Sequence, residues 1–133
     1  RILEVAIHKC HELNFPLDRI VDGIGTTPIP PVAKNFLDGM GRTNDSIIYG
    51  GTVFLTIKGD IEDIKELSKN LPSLNSRDYG KPFKSIFNAY GGDFYKIDGS
   101  LFSPAKVIIN ALKTGETFIS GKINNNLVEQ SFF

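Results

Sequence analysis

An arginine and a glutamate three residues apart, Arg1 and Glu4, open the chain. On an α-helix that interval places both side chains on one face, with Cβ atoms about 5–6 Å apart. So placed, the two groups can touch each other or a common ligand. The same spacing also describes an ordinary exposed ion pair worth a few tenths of a kcal/mol. The residues alone leave both readings open. His8, His11 and Glu12 share the polar arc with Glu4, but a metal site needs three or four well-placed ligands. A third is missing, and no Cys/His cluster has zinc spacing, so no metal is expected.

Three further constellations could touch a ligand. Gly23, Gly25, Thr26 and Thr27, followed by Pro28, Pro30 and Pro31, could bring backbone N–H groups close to an anion or ring system. They match neither the dinucleotide-binding glycine pattern nor the phosphate loop, and Gly and Pro also make ordinary turns. Arg42-Thr43-Asn44-Asp45, with Gly50-Gly51 beyond, could supply polar contacts and close backbone approach to a planar ligand, or form a polar turn before a strand. Tyr79-Gly80-Lys81-Pro82-Phe83 joins an aromatic, a flexible joint and a cation ahead of a helix start, as a lid would, although loops also carry such residues for local packing.

The elements that must position these groups follow from hydrophobic period. Leu3, Ala6, Ile7, Cys10 and Leu13 recur at helical spacing, so the stretch from Arg1 to Asn14 reads as an amphipathic helix. Residues 22–31 read as an irregular loop, and 32–40 as a helix stopped by Gly39 and Gly41. Ser46–Lys58, rich in β-branched and aromatic residues, reads as one long strand with a bulge at Gly50-Gly51, or as two shorter ones. Asp60 caps a helix with the stripe Ile61, Ile64, Leu67 and Leu71, which Pro72 closes. Pro82 opens another, ended by Gly91-Gly92. Phe94–Ile97 reads as a short strand, and 105–112 with 116–123 as a hairpin before a closing helix over 124–133. The expected fold class is α/β (α+β), a mixed sheet with helices packed on it.

Composition narrows the function. Fifteen basic residues balance fifteen acidic ones, so no global field draws the chain to nucleic acid or an anionic membrane. The longest apolar runs, such as Val53–Ile57, fall far short of the roughly 20 residues that span a bilayer. Cys10 is alone and can form no internal disulfide, which suits a reducing, cytoplasmic setting. At 133 residues the chain suits one hydrophobic core. It begins on Arg1, without Met and without a capping residue ahead of its first helix, which reads as a cut edge.

Taken in order, Arg1-Ile2-Leu3-Glu4, Gly25-Thr26-Thr27-Pro28-Ile29-Pro30-Pro31, Met40-Gly41-Arg42-Thr43-Asn44-Asp45, Tyr49-Gly50-Gly51, Asn70-Leu71-Pro72-Ser73, Tyr79-Gly80-Lys81-Pro82-Phe83, Asp93-Phe94-Tyr95-Lys96-Ile97-Asp98 and Phe102-Ser103-Pro104-Ala105 resemble the C-terminal part of methenyltetrahydromethanopterin cyclohydrolases. The resemblance covers essentially the whole chain. It implies residues 1–133 as the second part of such an enzyme, with the N-terminal domain absent from this chain. The implied reaction is reversible hydrolysis of a cationic amidinium ring on a pterin carrier to the formyl compound, in methanogenesis or in formaldehyde oxidation by methylotrophs. It further implies a homotrimer, no redox cofactor and no catalytic metal, the tetrahydromethanopterin being the substrate carrier. Carried onto this sequence, it makes Glu4 and Arg1 catalytic and Thr27, Asn44, Asp45, Gly50, Gly51 and Lys81 the expected substrate-binding residues. The alternatives are a non-catalytic pterin-binding or oligomer-forming domain of the same fold, and an enzyme acting on a different carrier.

Overall fold

The β-branched segments of the sequence pair into one four-stranded sheet. The computed structural model describes all residues, Arg1–Phe133. Strands β1 (Ile20–Thr26), β2 (Thr52–Ile57), β3 (Lys106–Ala111) and β4 (Thr117–Gly121) lie in that spatial order. β1 is antiparallel to β2, β2 parallel to β3, and β3 antiparallel to β4, so the sheet is mixed, as expected. Side chains alternate along each strand. Val53, Leu55 and Ile57 of β2 and Val107, Ile109 and Ala111 of β3 therefore form one fully buried face. Helices α1 (Ile2–Glu12) and α3 (Ile61–Asn70) cover it through Ala6, Cys10, Ile64 and Leu67.

A second core, built on Ile48, Tyr49, Phe83, Ile86, Ile97, Leu101 and Leu127, joins helices α2 (Phe36–Ile48), α4 (Phe83–Ala89) and α5 (Asn125–Phe132) to the segment after Gly92. The Asp60 cap is formed, its carboxylate accepting from the Glu62 N–H at 2.8 Å. α4 starts directly after Pro82 and α5 closes the chain, its Asn124 side chain accepting from the Leu127 N–H at 3.2 Å.

Three expectations are overturned, each by packing that local chemistry does not reveal. Residues 22–26, expected within a loop, belong to strand β1. Gly23 and Gly25 face α1 so closely that a Cβ would stand 2.9 Å from Leu3 Cδ1 at the first and 2.6 Å from Ile2 Cγ2 at the second. The glycines mark close approach of helix to strand and not a turn. Replacing Gly25 by Val is therefore expected to lower stability by about 1–3 kcal/mol, the usual cost of overpacking, and to displace the start of α1; a urea midpoint close to the parent's would contradict it.

The second correction concerns α2, which is capped by Asn35 and runs through Gly39 and Gly41 to Ile48. Interior glycines cost a helix about 1 kcal/mol each relative to Ala, but at Gly41 a Cβ would stand 3.3 Å from Lys84 Cβ, so the bare backbone lets α4 pack against α2. Arg42–Asp45 is thus helical and not a turn, and the expected long strand begins only at Thr52. Third, Phe94–Lys96 is a single 3₁₀ turn and not a strand: the Asp93 carboxylate caps it, accepting from the Tyr95 N–H at 3.0 Å.

Candidate active site

The period of α1 divides its side chains between two environments. Ala6 and Cys10 are fully buried against the sheet, while Arg1, Glu4, His8 and Glu12, at steps of three or four, line one wall of a cleft of about 710 Å³. Phe94, Tyr95, Ser100 and Phe102 line the opposite wall. That wall is aromatic: the Phe94 and Phe102 rings stack with centroids 5.1 Å apart, and Tyr95 stands edge-on to Phe94 with 95% of its surface exposed.

Arg1 and Glu4 share this cleft but do not bond each other, for no ion pair within 4.0 Å joins them. Arg1 instead donates from Nη2 to Asn44 Oδ1 at 3.3 Å, and Asn44 donates from Nδ2 to the Met40 carbonyl at 2.9 Å. The second bond orients the Asn44 amide so that its oxygen meets the guanidinium. Arg1 also borders a smaller cleft of about 220 Å³ lined by Thr27, Pro28, Thr43 and Ser46, so it lines two clefts. Glu4 is exposed on the wall of the larger one, with no hydrogen-bond partner of its own.

The other residues expected to touch substrate are dispersed. Thr27 lines the smaller cleft, and Asn44 reaches the site through Arg1. Gly50 and Gly51 carry a packing constraint: a Cβ would stand 2.8 Å from Pro28 Cγ at Gly50, and 2.6 Å from Ile2 Cδ1 at Gly51. They let the first turn of α1 and the Pro28 loop rest on the start of β2. Lys81 is exposed in the connection to α4, where its carbonyl accepts from the buried Tyr49 hydroxyl.

Asp45 faces away from the large cleft and is only 1% exposed. Its carboxylate accepts from the Phe83 N–H at 2.8 Å, at the start of α4. Burial raises its pKa from 3.8 to about 6, against the opposing pull of hydrogen bonds from Ser131 and Phe83. Because the folded value lies above the unfolded one, the folded state binds the proton more tightly. That stability is full below about pH 4 and is lost as pH rises through about 6. Asp45→Asn keeps an acceptor for Phe83 and never ionises, so it should raise the unfolding free energy measured in urea at pH 7.5 by at most about 3 kcal/mol and change it little at pH 4. A destabilised variant at pH 7.5 would contradict this account.

Lys9 was not singled out by residue chemistry, yet it lies in the same place. Only 4% exposed, it donates from Nζ to the carbonyls of Ser100 at 2.9 Å and Pro72 at 3.3 Å. The signal was present in the helical period, because Lys9 falls inside the apolar arc that Ile2, Ala6 and Leu13 define. Burial lowers its pKa from 10.5 to about 8, with Asp98 and Cys10 opposing. Asp98 in turn organises the aromatic wall, accepting from Ser76 Oγ at 2.9 Å and the Ser100 N–H at 3.2 Å. Burial works against that carboxylate, but the Ser76 hydroxyl, the Ser100 and Arg77 amides and the Arg77 guanidinium outweigh it and hold its pKa below the ordinary value.

The family model for Cyclohydrolase (MCH) matches residues 1–132. Among similar curated proteins, the methenyltetrahydromethanopterin cyclohydrolase of Methylosinus trichosporium is 58% identical over 132 residues, covering 99% of this chain and 51% of that protein. That of Methylobacillus flagellatus is 53% identical, with 99% of this chain and 40% of the relative covered. The Methanocella arvoryzae protein of the same name is 47% identical, with 99% and 41% covered. The chain thus spans between two fifths and about half of the length of these relatives. With its match running from Arg1 through the closing helix, the chain belongs to the Cyclohydrolase (MCH) family.

Proposed function

We propose that this chain supplies the reacting side chains and two facing walls of the substrate cleft of an enzyme that hydrolyses 5,10-methenyltetrahydromethanopterin to the 5-formyl compound. The observation that carries the reading is the unengaged Glu4 carboxylate facing a 710 Å³ cleft beside Arg1, which Asn44 holds apart from it. A carboxylate neutralised by its own arginine would be a poorer base; this one is free to receive a proton.

The substrate is a delocalised cation, N–CH=N⁺, and water adds to its central carbon. As the C–O bond forms, Glu4 takes one water proton. Collapse of the resulting carbinol to a formyl group breaks the bond from that carbon to N10, whose electron pair takes up a proton, and one proton is released overall. The Arg1 guanidinium suits the oxygen that turns from water into a formyl carbonyl, while Phe94 and Tyr95 offer a flat apolar surface for a fused ring system. The proposed hydrolysis calls for no redox cofactor or metal, the tetrahydromethanopterin being the substrate carrier. The relatives' names support the pterin carrier, and the family resemblance supports a cytoplasmic homotrimer serving either methanogenesis or formaldehyde oxidation. No helix is long and apolar enough to cross a membrane.

The test is loss of the methenyl chromophore with the natural full-length polypeptide, on the methanopterin and folate carriers in parallel. Hydrolysis of the methanopterin compound is expected to be the faster. Binding without hydrolysis would leave a non-catalytic pterin-binding domain, and faster turnover of methenyltetrahydrofolate would change the carrier.

A further inference from the structure

The reacting pair opens α1, but the opposite wall of the cleft belongs to a segment about ninety residues away, made of short 3₁₀ turns with no strand partners. Such a segment has little backbone hydrogen bonding of its own to fix it relative to a helix. Its Ile97 and Leu101 are packed into the second core, and the hydrogen bond that joins it to α1 comes from Lys9.

We propose that Lys9 is a positioning residue for the substrate cleft: its buried ammonium clamps the carbonyls of Pro72 and Ser100 to α1 and thereby holds the aromatic wall opposite Arg1 and Glu4. This inference rests on the function proposed above for the cleft itself. Three observations converge on it. Lys9 Nζ bridges two separate segments, one following α3 and one within the 3₁₀ turn Gly99–Leu101, at 3.3 and 2.9 Å. The side chain is 4% exposed and borders the cleft, so the clamp lies beneath the site and not on an outer surface. Ser100 is also the residue whose N–H the Asp98 carboxylate holds, so Lys9 fixes the carbonyl and Asp98 the N–H of the same residue.

A methylene stem with an apolar end could fill the same space, and replacing buried charge with apolar volume is often neutral for stability. What an apolar end cannot do is hold two carbonyls. Charge-assisted bonds from an ammonium are also stronger than those from a neutral amine, so the clamp weakens as Lys9 loses its proton above about pH 8. Asp98 is the ionisable group facing Lys9 from the aromatic segment, and the Pro72–Ser76 segment presents none. On its own helix, Cys10 lies adjacent and Arg1, Glu4, His8 and Glu12 share the cleft.

The experiment uses the full-length polypeptide with 5,10-methenyltetrahydromethanopterin as probe, comparing the parent with Lys9→Met. Lys9→Met should raise KM at least about tenfold while kcat stays within about threefold. Amide hydrogen exchange at Leu101, Phe102 and Ser103 should speed up at least about tenfold, with amides of β2 and β3 unchanged. In the parent, KM and the exchange of those three amides, corrected for intrinsic chemistry, should both rise between pH 7 and pH 9.5. Lys9→Met should show no such rise. If Lys9→Met does not fold, Lys9→Gln and the parent's pH series decide the matter. Unchanged KM together with unchanged exchange in the variant, or a parent whose exchange at these amides is flat across that range, overturns the inference. Absence of turnover in the parent counts against the proposed function, and the exchange readout then still decides the role of Lys9.

Discussion

Replacing Glu4 by Gln is expected to lower kcat by roughly 10²–10⁴, the range for loss of a general base, with pterin affinity nearly kept. The amide preserves shape and reach but cannot accept the water proton at neutral pH. The near-isosteric exchange should barely disturb the fold, because Glu4 is exposed and engaged by no other side chain. A loss confined to kcat would separate proton transfer from binding, since a group acting only in the transition state lowers kcat and kcat/KM together.

Arg1→Leu should cost about 10²–10³ in kcat/KM, comparable to removal of one preorganised donor aimed at developing charge. Asn44 and the Met40 carbonyl prepare this donor in advance: the Asn44 amide is fixed at 2.9 Å to Met40 and accepts from the guanidinium at 3.3 Å. Arg1→Lys should recover little, because a single ammonium cannot reach Asn44 and a substrate oxygen together in the planar fork that a guanidinium provides. Steady-state kinetics of the two variants would check this. Full recovery by Lys would reduce Arg1 to a point charge.

Much of the site was legible because it rests on helical period. Steps of three and four from Arg1 predict a polar arc of Arg1, Glu4, His8, His11 and Glu12, of which all but His11 line the cleft; His11 borders a separate hollow with Ile7 and Leu17. The Asp60 cap and the alternating hydrophobics of β2, β3 and the closing hairpin were equally local signals. What was not legible depends on distant partners. Gly23 and Gly25 look like a loop until Ile2 and Leu3 are known to press on them. Gly39 and Gly41 look like a helix stop until α4 packs on the bare backbone at Gly41. The bond between Arg1 and Asn44 joins residues 43 apart, and spacing within α1 suggested Glu4 as the partner instead. Lys9 bridges carbonyls 63 and 91 residues away, which no local pattern encodes.

The central claim is that Glu4 is the base for attack by water. It is tested most directly by following a single turnover of saturating methenyl substrate, through loss of its absorbance, in the full-length polypeptide and its Glu4→Gln variant at neutral pH. The account predicts that the variant binds the substrate and then loses the chromophore at least about a hundredfold more slowly than the parent. A variant rate within about threefold of the parent's would contradict it.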